Sequence, residues 1–545
     1  MKTLLVHPAF PKTYWGMEYA RLLSRRAALL PPLGLLTVAA LLPPDWEVQL
    51  VDMSVEPLTD EHLLWADVVF LGAMQIQQVS YHAVISRAHA LGKTVVVGGA
   101  YATTDPDASA KADSIVIGES EELIGPLCAD LENGALKPRY SASDRPDVTK
   151  SPIPRYDLLR KDAYQAIGVQ FSRGCPFNCE FCDIIEVFGR VPRTKSAGQL
   201  LREFDAVRAT GFHAMLFLVD DNFIGNKKAA KTMLPELANW MKQHDYPFDI
   251  YTEASINLAA DDRLIELMVE AGFSSVFVGI ETPSQEALAE TQKVQNLRLD
   301  LTAAVEKLTT KGLEVMAGFI VGFDSDDPGI FERQRAFIQN APIPLAMIGV
   351  LSALPGTQLW RRLEKEGRLF SDFSGETLGR TNFETRLPED VLLDGYGKLL
   401  ADIYAPDAYF ARCLRVLQLW PKRRPSQFRF PAKYAAETLV RTVWRLGIMA
   451  PYRAAFWRFI GKAVWRSPRL IARSISQVVN GEHVIRFTRD DVLPRLAVEN
   501  SRSSDATRIP MGVKSELVFP ILPEPQPVVL SQLGRAKVAA PSLLQ

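Results

Sequence analysis

The sequence predicts an α/β protein: an N-terminal doubly wound parallel sheet, then a partial (β/α)6 barrel, then a helical C-terminal region. Three observations predict it. Short apolar runs alternate with helical stretches over residues 1–140, and the same alternation resumes over 161–370. From 371 to 490 the strand-like runs stop and long helical stretches rich in Lys, Arg and Trp take over. Apolar strands separated by helices belong in parallel sheets covered on both faces. The chain has 545 residues, 47% of them apolar, which is enough for two or three separate cores. Residues 141–160, polar and carrying Pro146, Pro152 and Pro154, read as a linker. Residues 491–545, rich in Ser and Pro, are expected to be a disordered tail.

In the first unit Thr3–Val6, Glu47–Asp52, Val68–Ala73, Thr94–Gly98 and Ser114–Gly118 read as strands. Gly34–Leu42, entered by Pro31-Pro32, and Thr59–Ala66 and Val79–Leu91 read as helices. Ligands of doubly wound sheets sit at the carboxyl ends of the strands. Those ends are His7-Pro8, Asp52-Met53, Gly72-Ala73-Met74-Gln75, Gly98-Gly99-Ala100 and Gly118-Glu119-Ser120-Glu121. Glycine there lets backbone approach a ligand closely, although it is also common at ordinary strand-to-helix turns. His62 reads as a solvated helix residue. His7 reads either as a ligand contact or as a strand end facing solvent.

In the second unit the strands are Ile167–Ser172, Ala214–Val219, Asp249–Glu253, Ser275–Ile280, Val315–Gly322 and Met347–Leu351. Several end in polar residues: Asp220-Asp221-Asn222, Glu253, Glu281-Thr282 and Asp324. Barrels of this kind build their sites at those ends. The first strand runs directly into Cys175-Pro-Phe-Asn-Cys179-Glu-Phe-Cys182, a C-x₃-C-x₂-C run. Three thiolates so close can hold three irons of a [4Fe–4S] cluster and leave the fourth iron open. A closed zinc site needs four ligands, usually as two spaced pairs, and the run lacks them. Gly174 and Pro176 shape the turn, Phe177 and Phe181 keep water from the cluster, and Arg173 reads either as a cation beside it or as a surface charge. Arg190, Arg193 and Lys195 read either as anion-pairing groups or as solvent-facing charges.

The chain resembles the radical S-adenosylmethionine (SAM) superfamily in the cysteine spacing and in the aromatic Phe181 before the third cysteine. Upstream, Pro31-Pro32-Leu33-Gly34-Leu35, Val97-Gly98-Gly99 and Gly118-Glu119-Ser120-Glu121 resemble the cobalamin-binding domain found in many of its members. The Asp-x-His-x-x-Gly signature of other cobalamin proteins is absent, since Trp65 stands where its Gly would be. The order of units is similar to cobalamin-dependent radical SAM proteins with a C-terminal helical domain, the neighbourhood of the hopanoid C-methyltransferases.

The resemblance implies Cys175, Cys179 and Cys182 as cluster ligands. It implies Phe181, Asp220, Asp221, Asn222, Glu253, Ser255 and Glu281 as SAM contacts, with Asp220, Asp221 and Asn222 near the amino group. It implies cobalamin contacts at Gly72, Met74, Gln75, Gly98, Gly99, Gly118 and Glu119. No catalytic side chain is assigned. The implied reaction is C-methylation of an unactivated carbon of a lipid-like, hopanoid-class substrate. A cobalamin-dependent radical cyclisation or rearrangement is the alternative, and a SAM- or cobalamin-binding sensor the distant one. The implied partners are a small-molecule or lipid substrate and an electron donor such as flavodoxin or ferredoxin.

Composition bears on location. Five cysteines, three of them clustered, are no disulfide framework and suggest a reducing compartment. No apolar run approaches the ~20 residues that span a bilayer, so a cytoplasmic protein is expected. Between Arg412 and Arg473 the only acid is Glu437, and Trp420, Trp444, Trp457 and Trp465 are interleaved with Lys and Arg. That stretch reads as a helical cap packed on the barrel, as a peripheral membrane contact, or as an RNA-binding surface, the last being the least expected.

Overall fold

The computed structural model describes residues 1–297, 299–370, 375–421, 428, 430–466 and 468–503. Strands β1 (Lys2–His7), β2 (Glu47–Asp52), β3 (Val68–Gly72), β4 (Thr94–Gly98), β5 (Ser114–Ile117) and β6 (Arg139–Ser141) form one sheet in the order β2-β1-β3-β4-β5-β6. Every pairing is parallel. Successive side chains alternate between faces. Leu4, Val6, Val69, Leu71, Val95 and Val97 therefore build one core, and Leu5, Val68, Phe70 and Val96 build the other. The strand order reverses between β1 and β3, which opens a crevice at the carboxyl ends marked by His7 and Gly72. Strand β6 escaped the sequence reading because Arg-Tyr-Ser has no apolar run, and only Tyr140 is buried.

The stretch read as a linker is packed. The Tyr156 hydroxyl, buried, donates to the Gly168 carbonyl at 3.0 Å, and the Arg155 amide donates to the Leu36 carbonyl at 3.1 Å. These bonds tie the first unit to the second.

Strands β7 (Ala166–Val169), β8 (Ser172–Arg173), β9 (Arg193–Thr194), β10 (Met215–Leu218), β11 (Asp249–Glu253), β12 (Phe273–Glu281), β13 (Glu314–Val321) and β14 (Ala346–Val350) follow. Six of them form a second sheet ordered β14-β13-β12-β11-β10-β7, parallel throughout. Strand neighbours follow sequence order, as successive β/α units require, and β7 and β14 do not pair, so the barrel is open. The small antiparallel pair β8–β9 brackets the cysteine loop.

The C-terminal helices are Glu389–Ile403, Pro406–Leu419, Ala432–Thr442, Arg453–Arg466, Ile471–Arg486 and Leu493–Ser503. They cover the β14 side of the barrel. Tyr396 and Tyr404 donate to the β14 carbonyls of Ile348 (2.8 Å) and Ala346 (2.6 Å). Arg412, fully buried, pairs with no acid among the described residues and donates to the carbonyls of Ile343 (2.9 Å) and Ile403 (2.7 Å). The final helix runs into the stretch read as a tail from 491, and the remainder of that stretch, from 504, lies outside the described residues. Of the four tryptophans, only Trp420 packs as a cap residue, with the Arg473 guanidinium 3.5 Å above its ring. Trp444, Trp457 and Trp465 are exposed.

The N-terminal segment meets the C-terminal helices. The Tyr14 hydroxyl and Thr488 Oγ1 are 2.6 Å apart, His483 Nε2 lies 3.1 Å from the Tyr14 carbonyl, and the Tyr19 hydroxyl donates to Asp491 at 2.7 Å. This clamp seats Thr13–Trp15 across the mouth of the barrel. Among the described residues no helix is long and apolar enough to cross a membrane.

Candidate active site

The cysteine loop is shaped by backbone. Gly174 has φ +95°, and a Cβ there would sit 2.8 Å from the Gly189 carbonyl, so only glycine fits. The Cys175 amide donates to that same carbonyl at 3.1 Å, closing the loop on itself. Side-chain amides point at the sulfurs: Asn222 Nδ2 at Cys175 Sγ and Gln295 Nε2 at Cys179 Sγ, each at 3.6 Å. Burial pushes the Cys175 and Cys182 thiols up, so thiolates there need nearby positive charge. Lys293 supplies some of it. Burial works against its ammonium, but Glu281 and the thiolates of Cys179 and Cys182 outweigh that and hold its pKa up.

The strand-end carboxylates divide into two groups. Asp220 is 1% exposed and accepts the Phe171 amide (2.8 Å) and the Ser172 hydroxyl (2.5 Å). Asp221 accepts the Gly174 amide at 3.0 Å. Both of these residues, expected near the SAM amino group, accept hydrogen bonds from the entry of the cysteine loop and fix its course. Burial lifts Asp220 to about 7 and Asp221 to about 6, despite those hydrogen bonds. Asn222 bridges the loop to Ser255, whose amide and hydroxyl lie 3.2 and 3.3 Å from Asn222 Oδ1. Glu253 and Glu281 form the second group. Burial, with Asp221 and Glu281 nearby, pushes Glu253 up to about 8. Glu281 stands at φ +65° beside a register shift in β12 and accepts Lys293 Nζ at 2.6 Å. A non-glycine residue held there costs about 1–3 kcal/mol, a strain typical of functional sites. Phe181 lies against Phe323, with Lys293 Nζ 5.8 Å from its ring centre.

The first sheet meets this edge through ion pairs. Glu119, expected to touch cobalamin, has a side chain only 3% exposed and pairs instead with Arg173 (2.7 Å) and Arg193 (2.5 Å). Glu121 also takes Arg173, at 2.7 Å. Arg173 and Arg193 thus join the two sheets and are not solvent-facing charges. Lys195 is likewise occupied, by Glu203. Arg190 is exposed and donates to the Pro176 carbonyl. His7 is not turned to solvent: Nδ1 lies 3.3 Å from Asp52 and Nε2 3.2 Å from Gln77. His62 completes a capping box with Thr59.

The remaining residues of that edge stay available. Met74 is 55% exposed, and Gln75 Oε1 is buried with no hydrogen-bond partner among the described residues. Gly99, at φ +87°, lies where a Cβ would be 3.4 Å from the Ala73 carbonyl, and Gly98 and Gly118 (φ +91°) continue the side-chain-free rim. A cavity of about 280 Å³ opens between the sheets, lined by Trp15, Ile76, Phe181, Phe319, Ile348 and Leu378 among others, with Glu281 and Glu376 as its acids.

The radical SAM superfamily model matches residues 169–333, the B12 binding domain model matches 22–125, and a domain of unknown function (DUF4070) matches 357–492. An uncharacterized methyltransferase of Synechocystis sp. is 42% identical over 89% of this chain and 92% of its own. The hopanoid C-2 methylase of Rhodopseudomonas palustris is 34% identical over 90% of this chain and 94% of its own. The chain belongs to the cobalamin-dependent radical SAM methyltransferases. The fold is also that of the radical SAM methyltransferase TsrM from Kitasatospora setae, solved with cobalamin and a [4Fe–4S] cluster bound (TM-score 0.58, 14% identity, 86% of this chain and 100% of that one).

The cofactors of these methyltransferases are a [4Fe–4S] cluster, SAM and cobalamin, and the residues present fit all three. The three thiols with two sulfur-directed amides suit a cubane. Among the described residues no three His, Cys, Asp or Glu side chains gather around one ion, and cubane thiolates each bind a separate iron rather than a common point. A cationic ligand beside Glu253 and Glu281 would favour the ionised form of Glu253, which burial otherwise raises to about 8. The glycine rim with the unpartnered Gln75 oxygen suits an amide-rich macrocycle. Lys293, Gln295, Thr13–Trp15 and Glu376–Leu378 were not found from sequence, because none lies in a motif or at a strand end.

Proposed function

We propose that this protein is a C-methyltransferase acting on an unactivated carbon of a lipid-like, hopanoid-class substrate. The observation that carries the reading is the 34% identity to a hopanoid C-2 methylase across 90% of the chain. The apolar lining of the cavity between the sheets agrees with a hydrocarbon substrate.

When bound, the cluster, SAM and cobalamin supply reductive cleavage of SAM, hydrogen abstraction and a methyl group. The chain's part is to hold and shield. Cys175, Cys179 and Cys182 ligate the cluster, and Asp220 and Asp221 fix the loop that presents them. Glu253, Ser255, Glu281 and Phe181 bind SAM, with Asn222 positioning Ser255. Gly72, Met74, Gln75, Gly98, Gly99 and Gly118 seat the corrin. Trp15, Ile76 and Phe319 hold the substrate and exclude water, which protects reactive species from side reactions. Lys365 is exposed near Glu180, next to the cysteine loop, and Arg361 beside it is exposed and paired with Glu186. An acidic electron donor of the flavodoxin or ferredoxin kind approaches there. A substrate of this class resides in membranes, and the protein meets it there peripherally.

The test is a product ratio. The anaerobically reconstituted enzyme is given cobalamin, SAM, reductant and a dispersed hopanoid, and 5′-deoxyadenosine and S-adenosylhomocysteine are quantified together. Near-equal, hopanoid-dependent formation of both is expected. Deoxyadenosine without S-adenosylhomocysteine would sink methyl transfer in favour of cyclisation or rearrangement.

A further inference from the structure

Nine of the nineteen large apolar side chains exposed among the described residues fall between Leu439 and Ile471. The others are scattered along the rest of the chain. Single exposed apolar residues need no explanation, but a contiguous group marks an interaction site. Val440, Trp444 and Ile448 are spaced four apart along the helix Ala432–Thr442 and the π-turn Val443–Met449 that extends it. Trp457 and Trp465 are eight apart on the helix Arg453–Arg466. The two stripes are joined, because Trp457 Nε1 donates to the Gly447 carbonyl at 2.8 Å. Trp444 is 61% exposed and Trp465 86%.

Charge distinguishes this face further. Arg453, Lys462, Arg466 and Arg469 are exposed and make no ion pair among the described residues. Other cations of the region are engaged: Arg441 with Glu437, Arg445 with Glu482, Arg458 with Asp407 and Arg473 with Glu314. The free cations thus flank the exposed tryptophans.

We infer that the face formed by residues 439–471 docks on an anionic phospholipid bilayer, with its Trp, Ile and Met side chains in the headgroup region and its four free cations on lipid phosphates. Apolar side chains beside basic ones, on helices too short to span, are the makings of an interfacial surface. A second copy of the chain fits worse, since a two-fold contact sets a patch against itself and would bring like charges together. RNA fits worse too, since Val440, Ile448 and Met449 offer nothing to a phosphate backbone or a base edge.

The face is also connected to the cavity. Arg441 Nε donates to the Leu23 carbonyl at 2.7 Å, and the Arg26 guanidinium lies 5.4 Å from the Tyr434 ring centre. Leu23 lies in the last turn of the helix Glu18–Ser24, which begins three residues after Trp15 on the cavity wall. A bilayer on this face is therefore one short helix away from the cavity wall. This connection, unlike the docking itself, rests on the lipid-substrate reading.

The test is flotation of the reconstituted enzyme with phosphatidylcholine vesicles that contain or lack phosphatidylglycerol. Strong, salt-sensitive binding to the phosphatidylglycerol vesicles is expected. Trp444→Ala/Trp465→Ala, in which exposed rings are cut and folding is checked by circular dichroism, should weaken it about tenfold. Gln at all four free cations should weaken it about a hundredfold and abolish the preference for anionic lipid. Binding of both variants equal to wild type would overturn the inference. So would a wild-type dimer in light scattering that Trp444→Ala/Trp465→Ala converts to monomer, or displacement of the vesicles by RNA. The two readings fail separately: methylation of dispersed hopanoid without vesicle binding removes only the docking face, and vesicle binding without methyl product removes only the lipid substrate.

Discussion

The two parallel sheets turn their carboxyl edges toward one another and furnish them oppositely. The first offers Gly72, Gly98, Gly99 and Gly118, with little side chain beyond Met74 and Gln75. The second offers Asp220, Asp221, Glu253 and Glu281 around three cysteines. One edge leaves room; the other supplies charge and ligands. A bulky macrocycle needs backbone that stands back, whereas a cluster and a cationic cosubstrate need a preorganised set of donors and acids. The carboxylates are themselves divided, since Asp220 and Asp221 shape the cysteine loop, whereas Glu281 lines the cavity with Glu253 close by.

If this contrast is right, the edges can be disabled one at a time. Cys179→Ser should lose the cluster and all turnover while cobalamin still binds. Gly99→Val, which places a branched side chain at φ +87° against the Ala73 carbonyl, should lose cobalamin and methyl transfer while the cluster stays. Iron content and the corrin absorption band separate the two, and loss of both cofactors from either variant would show that the edges are not independent. A smaller effect is expected at the joint between them. Arg173→Met leaves Glu119 and Glu121 buried without that partner, and removing one member of a buried ion pair costs about 3–5 kcal/mol. The variant should unfold at clearly lower denaturant than wild type, and an unchanged midpoint would show that Arg193 alone holds the joint.

The smallest effect concerns the clamp that seats Thr13–Trp15 between the edges. Burial lowers His483 to about 4, against the opposing effect of hydrogen bonds to the Tyr14 and Thr13 carbonyls. Its surroundings include Glu18, Arg21 and Asp491. A folded pKa below the unfolded value of about 6.5 means the unfolded chain takes the proton first. Stability is therefore full above pH ~6.5 and declines as pH falls toward 4, by about 2 kcal/mol at pH 5 from this group. Thermal melts should show a steeper acid loss for wild type than for His483→Gln, and parallel profiles would remove the clamp from the account.

The contrast between edges was only partly legible in the sequence. The runs at β3 and β4 are short, β-branched and apolar on both faces, as inner parallel strands are, and the spacing of Cys175, Cys179 and Cys182 points to an open-sited cluster. Asp220 shows where reading stops. A carboxylate at a strand end has the same letter whether it accepts from a ligand or from the Phe171 amide, and only geometry distinguishes them. The ion pairs of Glu119 were hidden for the same reason, because its partners Arg173 and Arg193 lie in the second unit, on β8 and β9. Lys293 sits in a loop twelve positions beyond Glu281, with no periodicity to mark it. The exposure of Trp444, Trp457 and Trp465 depends on which helix face the barrel covers, which the basic, Trp-rich composition leaves open.

The bond between Tyr14 and Thr488 spans 474 positions. On a ribosome adding about 5–20 residues per second, that separation is roughly half a minute to a minute and a half. The first sheet, and then the barrel with its cysteine loop, emerge and fold long before the helix that draws Thr13–Trp15 over the mouth has been made. During that interval the loop stands uncovered on the nascent chain, so the time of synthesis is itself a window for assembling the cluster before the lid is tied down.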